Sequence, residues 1–127
     1  MKNISFMLTP DQIVARTKTV TRRLGWLGLK PGTLLRPVRK GMGLRKGEKL
    51  DVLGNPIRVV SVMREPLRAM TDDIDYGFSE CELEGFKNDP LWGFPVSFVE
   101  RFCLSHKGCT PETIVTRIEF EYTENEL

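Results

Sequence analysis

At 127 residues and 14.5 kDa the chain is one domain's length, 1–127, and large enough to bury a core. Its 40% apolar and 28% charged residues argue against global disorder. No apolar run nears the roughly 20 residues that cross a bilayer, and the short stretch Ile4–Leu8 meets Thr9-Pro10-Asp11 too soon for a signal peptide. The expectation is therefore a cytoplasmic protein without a membrane partner.

The net charge of +2 conceals an uneven distribution. Eleven cations fall between Arg16 and Lys49, where the one acid is Glu48. Acids gather later, at Asp72, Asp73 and Asp75, at Glu80, Glu82 and Glu84, and at Glu119, Glu121, Glu124 and Glu126. A polarised molecule follows, with a basic face that attracts phosphates by releasing their counterions. The alternative is a solvated face with scattered cations. The Arg22-Arg23 doublet near Trp26 favours nucleic acid, because guanidinium and indole planes both stack on bases.

In chain order, Ile4–Leu8 reads as a short buried strand. Thr9-Pro10-Asp11 is a helix start: Thr caps, Pro fits the first turn and Asp meets the positive end of the dipole. The helix is expected to end between Ala15 and Lys18, before the β-branched Thr19-Val20-Thr21. Residues 22–29 read as irregular, and Lys30-Pro31-Gly32-Thr33 as a turn. Leu34–Lys40 reads as a strand in which Pro37 implies an edge or a bulge. Gly41-Met42-Gly43 and Lys46-Gly47-Glu48 bracket a cationic loop. Leu50–Leu53 and Ile57–Met63 suggest a hairpin turning at Gly54-Asn55-Pro56.

Between Asp72 and Glu84 the pattern predicts short helical pieces, with Thr71 as a cap and Ser79-x-x-Glu82 as a capping box. Pro90–Pro95 is an aromatic loop. Val96–Leu104 is a helix whose apolar spacing (Val96, Phe98 or Val99, Phe102 or Cys103) serves the core. Thr113–Tyr122 is an alternating strand with Ile118, Phe120 and Tyr122 on one face. Helices so few and short do not make regular βαβ units, so the fold class is α+β, a small sheet or barrel with short helices at its mouth.

Three cysteines without a CxxC pair do not make a disulfide framework and fit a reducing compartment. Cys103, His106 and Cys109 form a C-x2-H-x2-C run, but a closed zinc site needs a fourth ligand, absent unless Cys81 folds over. The reading preferred is two half-buried cysteines at a helix end, with no metal. His106, the sole histidine, reads as an exposed loop residue. There is no G-x-x-x-x-G-K-[ST] loop and no G-x-G-x-x-G, and no cofactor is expected.

The stretch Arg16-Thr17-Lys18-Thr19-Val20-Thr21-Arg22-Arg23, the turn Lys30-Pro31-Gly32-Thr33 and the triplet Glu84-Gly85-Phe86 resemble, in order and spacing, the signature of the ASCH domain family. Ala15 and Thr17 depart from its usual G-R-K opening, and Thr33 stands where the family has Asp. The ending Thr116–Tyr122 and the helix Phe98–Cys103 are similar to a branch common in phages and prophages. The resemblance implies a PUA-like small β-barrel and an RNA or nucleotide partner. One branch of the family deacetylates acetylcytidine with a Lys, a Thr and a Glu, and other members are ribonucleases. By motif, the implied catalytic residues are Lys18, Thr21 and Glu84.

Lys18 and Thr21 would share a face on a helix and oppose each other in a strand, so a common site requires the first helix to reach, or nearly reach, Thr21. A Thr hydroxyl needs a base to become nucleophilic, and Lys serves only with a lowered pKa. Neighbouring arginines would stabilise an oxyanion or hold a phosphate. The candidate nucleic-acid contacts are Arg16, Arg22, Arg23, Trp26, Arg39 and Lys40, with Trp92 a second stacking surface. Two readings stand: a binding module, or a small hydrolase acting on RNA or a modified nucleoside. A buried ion pair with a capping hydroxyl, bracing the barrel mouth, is the structural alternative for Lys18, Thr21 and Glu84.

Overall fold

A computed structural model describes residues 1–41 and 43–124. Met42, of the Gly41-Met42-Gly43 segment, and Glu126, of the acidic tail, lie outside the described residues. The elements in order are β1 (Lys2–Ser5), α1 (Pro10–Val14), β2 (Val20–Arg23), β3 (Leu34–Val38), β4 (Ile57–Pro66), α2 (Ala69–Asp72), α3 (Ile74–Leu83), α4 (Pro95–Ser105) and β5 (Ile114–Tyr122). The strands form one mixed sheet in the order β1-β3-β4-β5-β2. β1 and β3 are parallel, and the other pairs are antiparallel. The class is α+β as expected, but β1 and β2 remain the two edges, so the sheet is open where a closed barrel was expected.

The centre of the sheet is the long β4–β5 pair, which runs from Ile57 opposite Tyr122 to Pro66 opposite Ile114. The register shifts between Val59 and Ser61, and Val60 is left exposed, as a bulge requires. The alternation in β5 serves two cores. Ile118 and Phe120 face one built with Ile4, Phe6, Ile13, Leu35, Ile57 and Val59. Val115, on the opposite face, joins Leu67 and Met70 with Cys81 of α3 and Phe98, Val99 and Phe102 of α4. Helices α2, α3 and α4 therefore cover one face of the sheet, while Phe6 after β1, Ile13 of α1 and the loop after β2 close the other.

Several local expectations shift for identifiable reasons. α1 stops at Val14 because Thr19-Val20-Thr21 prefer extended backbone, and residues 20–23, expected to be partly irregular, pair with β5. Thr9 precedes α1 but makes no side-chain capping bond. The N-cap of α3 is Asp73, whose carboxylate accepts from the Tyr76 amide, so Thr71 and Ser79 lie inside helices and cap neither. Pro37 lies in an internal strand, beyond the last β3–β4 residue pair, so its missing N–H breaks no ladder there, and its carbonyl accepts from Leu53. The segment before β4 makes no hairpin with it: Val52 bridges Val38 of β3 instead. Val96 is exposed, and the buried stripe of α4 is Phe98, Val99 and Phe102.

Candidate functional site

The site is built at the free edge of β2, where the chain between α1 and β2 is tied to the end of α3. The Thr19 amide donates to the Leu83 carbonyl at 2.9 Å, which lays Lys18 beside Glu84. Gln12 of α1 donates to the Gly85 carbonyl at 3.2 Å. Gly85 has φ +93°, and a Cβ there would stand 3.0–3.2 Å from Gln12 and Lys18 side-chain atoms. Both the left-handed backbone and the close approach call for glycine. Phe86 then turns under the lysine, whose ammonium lies 5.5 Å from its ring centroid. The triplet Glu84-Gly85-Phe86 thus supplies a counter-charge, a tight passage and an aromatic floor to one cation.

Lys18 Nζ donates to Glu84 Oε1 at 2.9 Å and to the Glu84 carbonyl at 2.7 Å, with both side chains 4% exposed. Burial lowers the Lys18 pKa, Glu84 opposes that effect, and Arg23 and Arg22 add to it. Glu84 Oε2 accepts from Arg22 at 3.1 Å. Arg22 is a hub: its other terminal nitrogen donates to Glu65, Glu80 and the Tyr76 hydroxyl. Burial works against its charge, but Glu84, Glu80 and Glu65 outweigh this and raise its pKa. Arg117 of β5, directly opposite Arg22 in the register, holds Glu80 from the other side.

Strand β2 sends Arg22 to the helix face of the sheet and its neighbours Thr21 and Arg23 to the opposite face. Arg23 donates to Thr21 Oγ1 at 3.0 Å and to the Ser5 carbonyl at 2.6 Å, and lies over Phe6. Burial pushes its pKa down to about 10, against the pull of Glu84. A cavity of about 450 Å³ wraps this edge, within the range of small-molecule sites. Lys18, Thr21 and Glu84 all line it, together with Arg22 and Arg23. The expected requirement that α1 reach Thr21 is therefore not met. The residues converge because the cavity spans both faces of an edge strand.

Aromatic side chains form one part of the wall, namely Phe6, Phe86, Trp92, Phe98 and Phe102 with His106 at the end of α4, and the segment from Ser5 to Thr9 with Ser105 completes it. Phe86 and Trp92 stack with centroids 5.3 Å apart, and His106 stacks on Phe102 at 4.2 Å. His106 is thus a half-buried wall residue and not the exposed loop residue expected. The wall joins positive and hydrogen-bonding groups to an aromatic cluster in which Phe98 meets Phe86 and Trp92 edge to face.

The other expected nucleic-acid contacts are dispersed. Arg22 is fully buried. Arg16, at φ +61°, pairs with Glu124 and lies over the Tyr122 ring. Trp26 packs against the first core beneath the Lys2 ammonium. Arg39 pairs with Asp51 at 2.8 Å, and Lys40 reaches Glu48 at 4.0 Å. The expected polarisation is reduced at its centre, because Lys18 and Arg22 bury their charge against Glu80 and Glu84. The bracing group Glu65, Tyr76, Glu80 and Arg117 is not among the residues expected from sequence. One signal was available: Glu80 and Glu84 are four apart and share a helix face. Among the described residues no cluster of three or more His, Cys, Asp or Glu side chains is gathered to hold a metal.

The whole chain superposes on 86% of the crystal structure of protein EF3133 from Enterococcus faecalis V583, of the family DUF984, with a TM-score of 0.51 and 15% identity. At that identity the likeness speaks to the α+β fold alone. No protein-family model matches the chain, and no curated protein does. Among the described residues no helix is long and apolar enough to cross a membrane.

Proposed function

We propose that this is an ASCH-type, PUA-like domain that holds a nucleotide, free or within RNA, in the cavity at the edge of β2. The observation that carries the reading is the convergence of Lys18, Thr21 and Glu84 in one cavity with an aromatic wall. These residues come from two motifs more than 60 positions apart, and each motif has a physical role in forming the cavity. Lys18 has two of its three N–H groups committed to Glu84, leaving one for a ligand. Arg23 and Thr21 present further polar atoms beside it, and the half-buried Trp92 and His106 offer ring surface to a base, with Phe86 occupied between Trp92 and the Lys18 ammonium. The ligand is gripped by a bounded cavity more than by an extended basic track, since Arg22 is internal and Arg16, Arg39 and Lys40 each face an acid.

A second reading, hydrolysis of a modified nucleoside, is favoured by the state of Lys18. Burial lowers its pKa in the direction a general base requires, and Thr21, whose hydroxyl accepts from Arg23, lines the same cavity. In this reading Lys18 takes the proton of the attacking hydroxyl or water, Glu84 holds the ammonium that results, and Arg23 stabilises the oxyanion. A single-turnover assay with acetylated cytidine, as nucleoside and within RNA, distinguishes the two readings. Deacetylation that disappears in Lys18→Ala establishes the enzyme. Binding of unmodified RNA without turnover establishes the binding module, and absence of both defeats the proposal.

A further inference from the structure

The run Cys103-x2-His106-x2-Cys109 plays no part in the nucleotide reading, yet its spacing has a clear consequence. The His106 amide donates to the Cys103 carbonyl, and the Cys109 amide donates to the His106 carbonyl, at 3.3 and 3.1 Å. Two successive three-residue turns thus bring the chain back on itself. Gly108, with φ +77°, permits the reversal. The Cys109 thiol ends 3.5 Å from Cys103 Sγ. Both cysteines are free and half-buried against the second core. The turn between them holds His106, whose ring stacks on Phe102 and whose Nδ1 lies 2.8 Å from the Phe102 carbonyl. Both of those residues line the cavity.

We propose that Cys103 and Cys109 are a redox-active pair that closes to an intramolecular disulfide, and that closure moves the His106 wall of the cavity. A disulfide requires the sulfurs to approach by a further ~1.5 Å, to about 2.05 Å. The turn must tighten for this, and His106 is the residue it carries. The oxidant is a low-molecular-weight disulfide. The Cys109 thiolate attacks it, forming a mixed disulfide and expelling one small thiol. Cys103 then attacks the Cys109 sulfur and expels the second. Two protein thiols lose two electrons and two protons in total, and the small disulfide becomes two thiols. Burial and the Cys109 contact push the Cys103 thiol up to about 11, so the exchange quickens as pH rises, and the same products follow if Cys103 makes the first attack. Cys81, buried in the second core with its thiol pushed up to about 12 by burial, is left as the unreacted third thiol.

The test is a redox titration of the intact folded protein with oxidised and reduced glutathione. It is read by intact mass, by a free-thiol count and by the proton resonances of the single imidazole. The expected result is a loss of two hydrogen masses, a fall from three free thiols to one, and a displaced His106 resonance, all reversed by reductant. Cys109→Ser should abolish the two-hydrogen loss. Stable glutathione adducts on separate cysteines, or no reaction in the folded protein, would overturn the pair. A disulfide that leaves the His106 resonance in place would overturn its coupling to the cavity.

Discussion

Lys18 and Glu84, 66 positions apart in the chain, are bound to each other twice in the interior, through the Glu84 carboxylate at 2.9 Å and its own carbonyl at 2.7 Å. Glu84 also holds Arg22. The pair is therefore asymmetric. Glu84→Ala leaves two buried cations short of a partner and should cost about 3–5 kcal/mol, the range for breaking a buried ion pair. Lys18→Met leaves Glu84 still paired with Arg22 and should cost less. Denaturant melts of the two variants check the order, and equal losses would show that Arg22 does not depend on Glu84.

The chain has two tyrosines, and both are held in the neutral form. Burial pushes Tyr76 up to about 12, helped by its bond to Glu65, and burial does the same for Tyr122. A folded pKa raised above the ordinary 10 gives stability that is present below pH 10 and lost as pH rises toward 12. Ultraviolet titration of the folded protein should show no phenolate step near pH 10. A normal step would place one tyrosine in solvent.

Glu80 gives the acid counterpart. Burial favours its neutral form, but the hydrogen bonds from Arg117 and Arg22 outweigh it, and its pKa is lowered from 4.5. A depressed carboxylate contributes stability that is present above the ordinary value and lost as pH falls below 4.5 through the folded value. Arg117→Met removes one of the two lowering partners. The melting temperature of this variant should fall less than that of the wild type when pH drops from 6 to 3, and an unchanged dependence would contradict the role given to Arg117.

Gly77 lies within α3, where Gly→Ala normally gains roughly 0.5–1 kcal/mol. Here a Cβ would stand 1.9 Å from the Met70 carbonyl oxygen and 2.7 Å from Pro95 Cγ. The clash should win, so Gly77→Ala is expected to lose about 1–3 kcal/mol or more. A stabilised variant would mean that α2 and α4 are further from α3 than described.

The sequence announced most elements because their signals are local. Pro10 opens α1, the apolar spacing from Val96 marks α4 although Pro95, read as loop, begins it, and the alternation Ile118-x-Phe120-x-Tyr122 marks β5. The triplet Glu84-Gly85-Phe86 and the lysine at 18 were legible as a motif. Why they meet was not, because the link is a backbone bond between Thr19 and Leu83 that no periodicity encodes. The bracing of Arg22 was hidden for a similar reason: its carboxylates come from β4 and from α3. The open sheet was hidden because strand patterns do not reveal which edges stay unpaired. His106 looked like loop in sequence and became cavity wall through a stack on its own helix.

The most direct test of the account is a nuclear magnetic resonance titration of the labelled protein with cytidine monophosphate. The account predicts shifts concentrated at Lys18, Thr21, Arg23, Glu84 and His106, lost in Thr21→Val and retained in Arg39→Ala. Shifts confined to residues 39–49, or none at saturating nucleotide, would contradict the claim that the cavity at the edge of β2 is the ligand site.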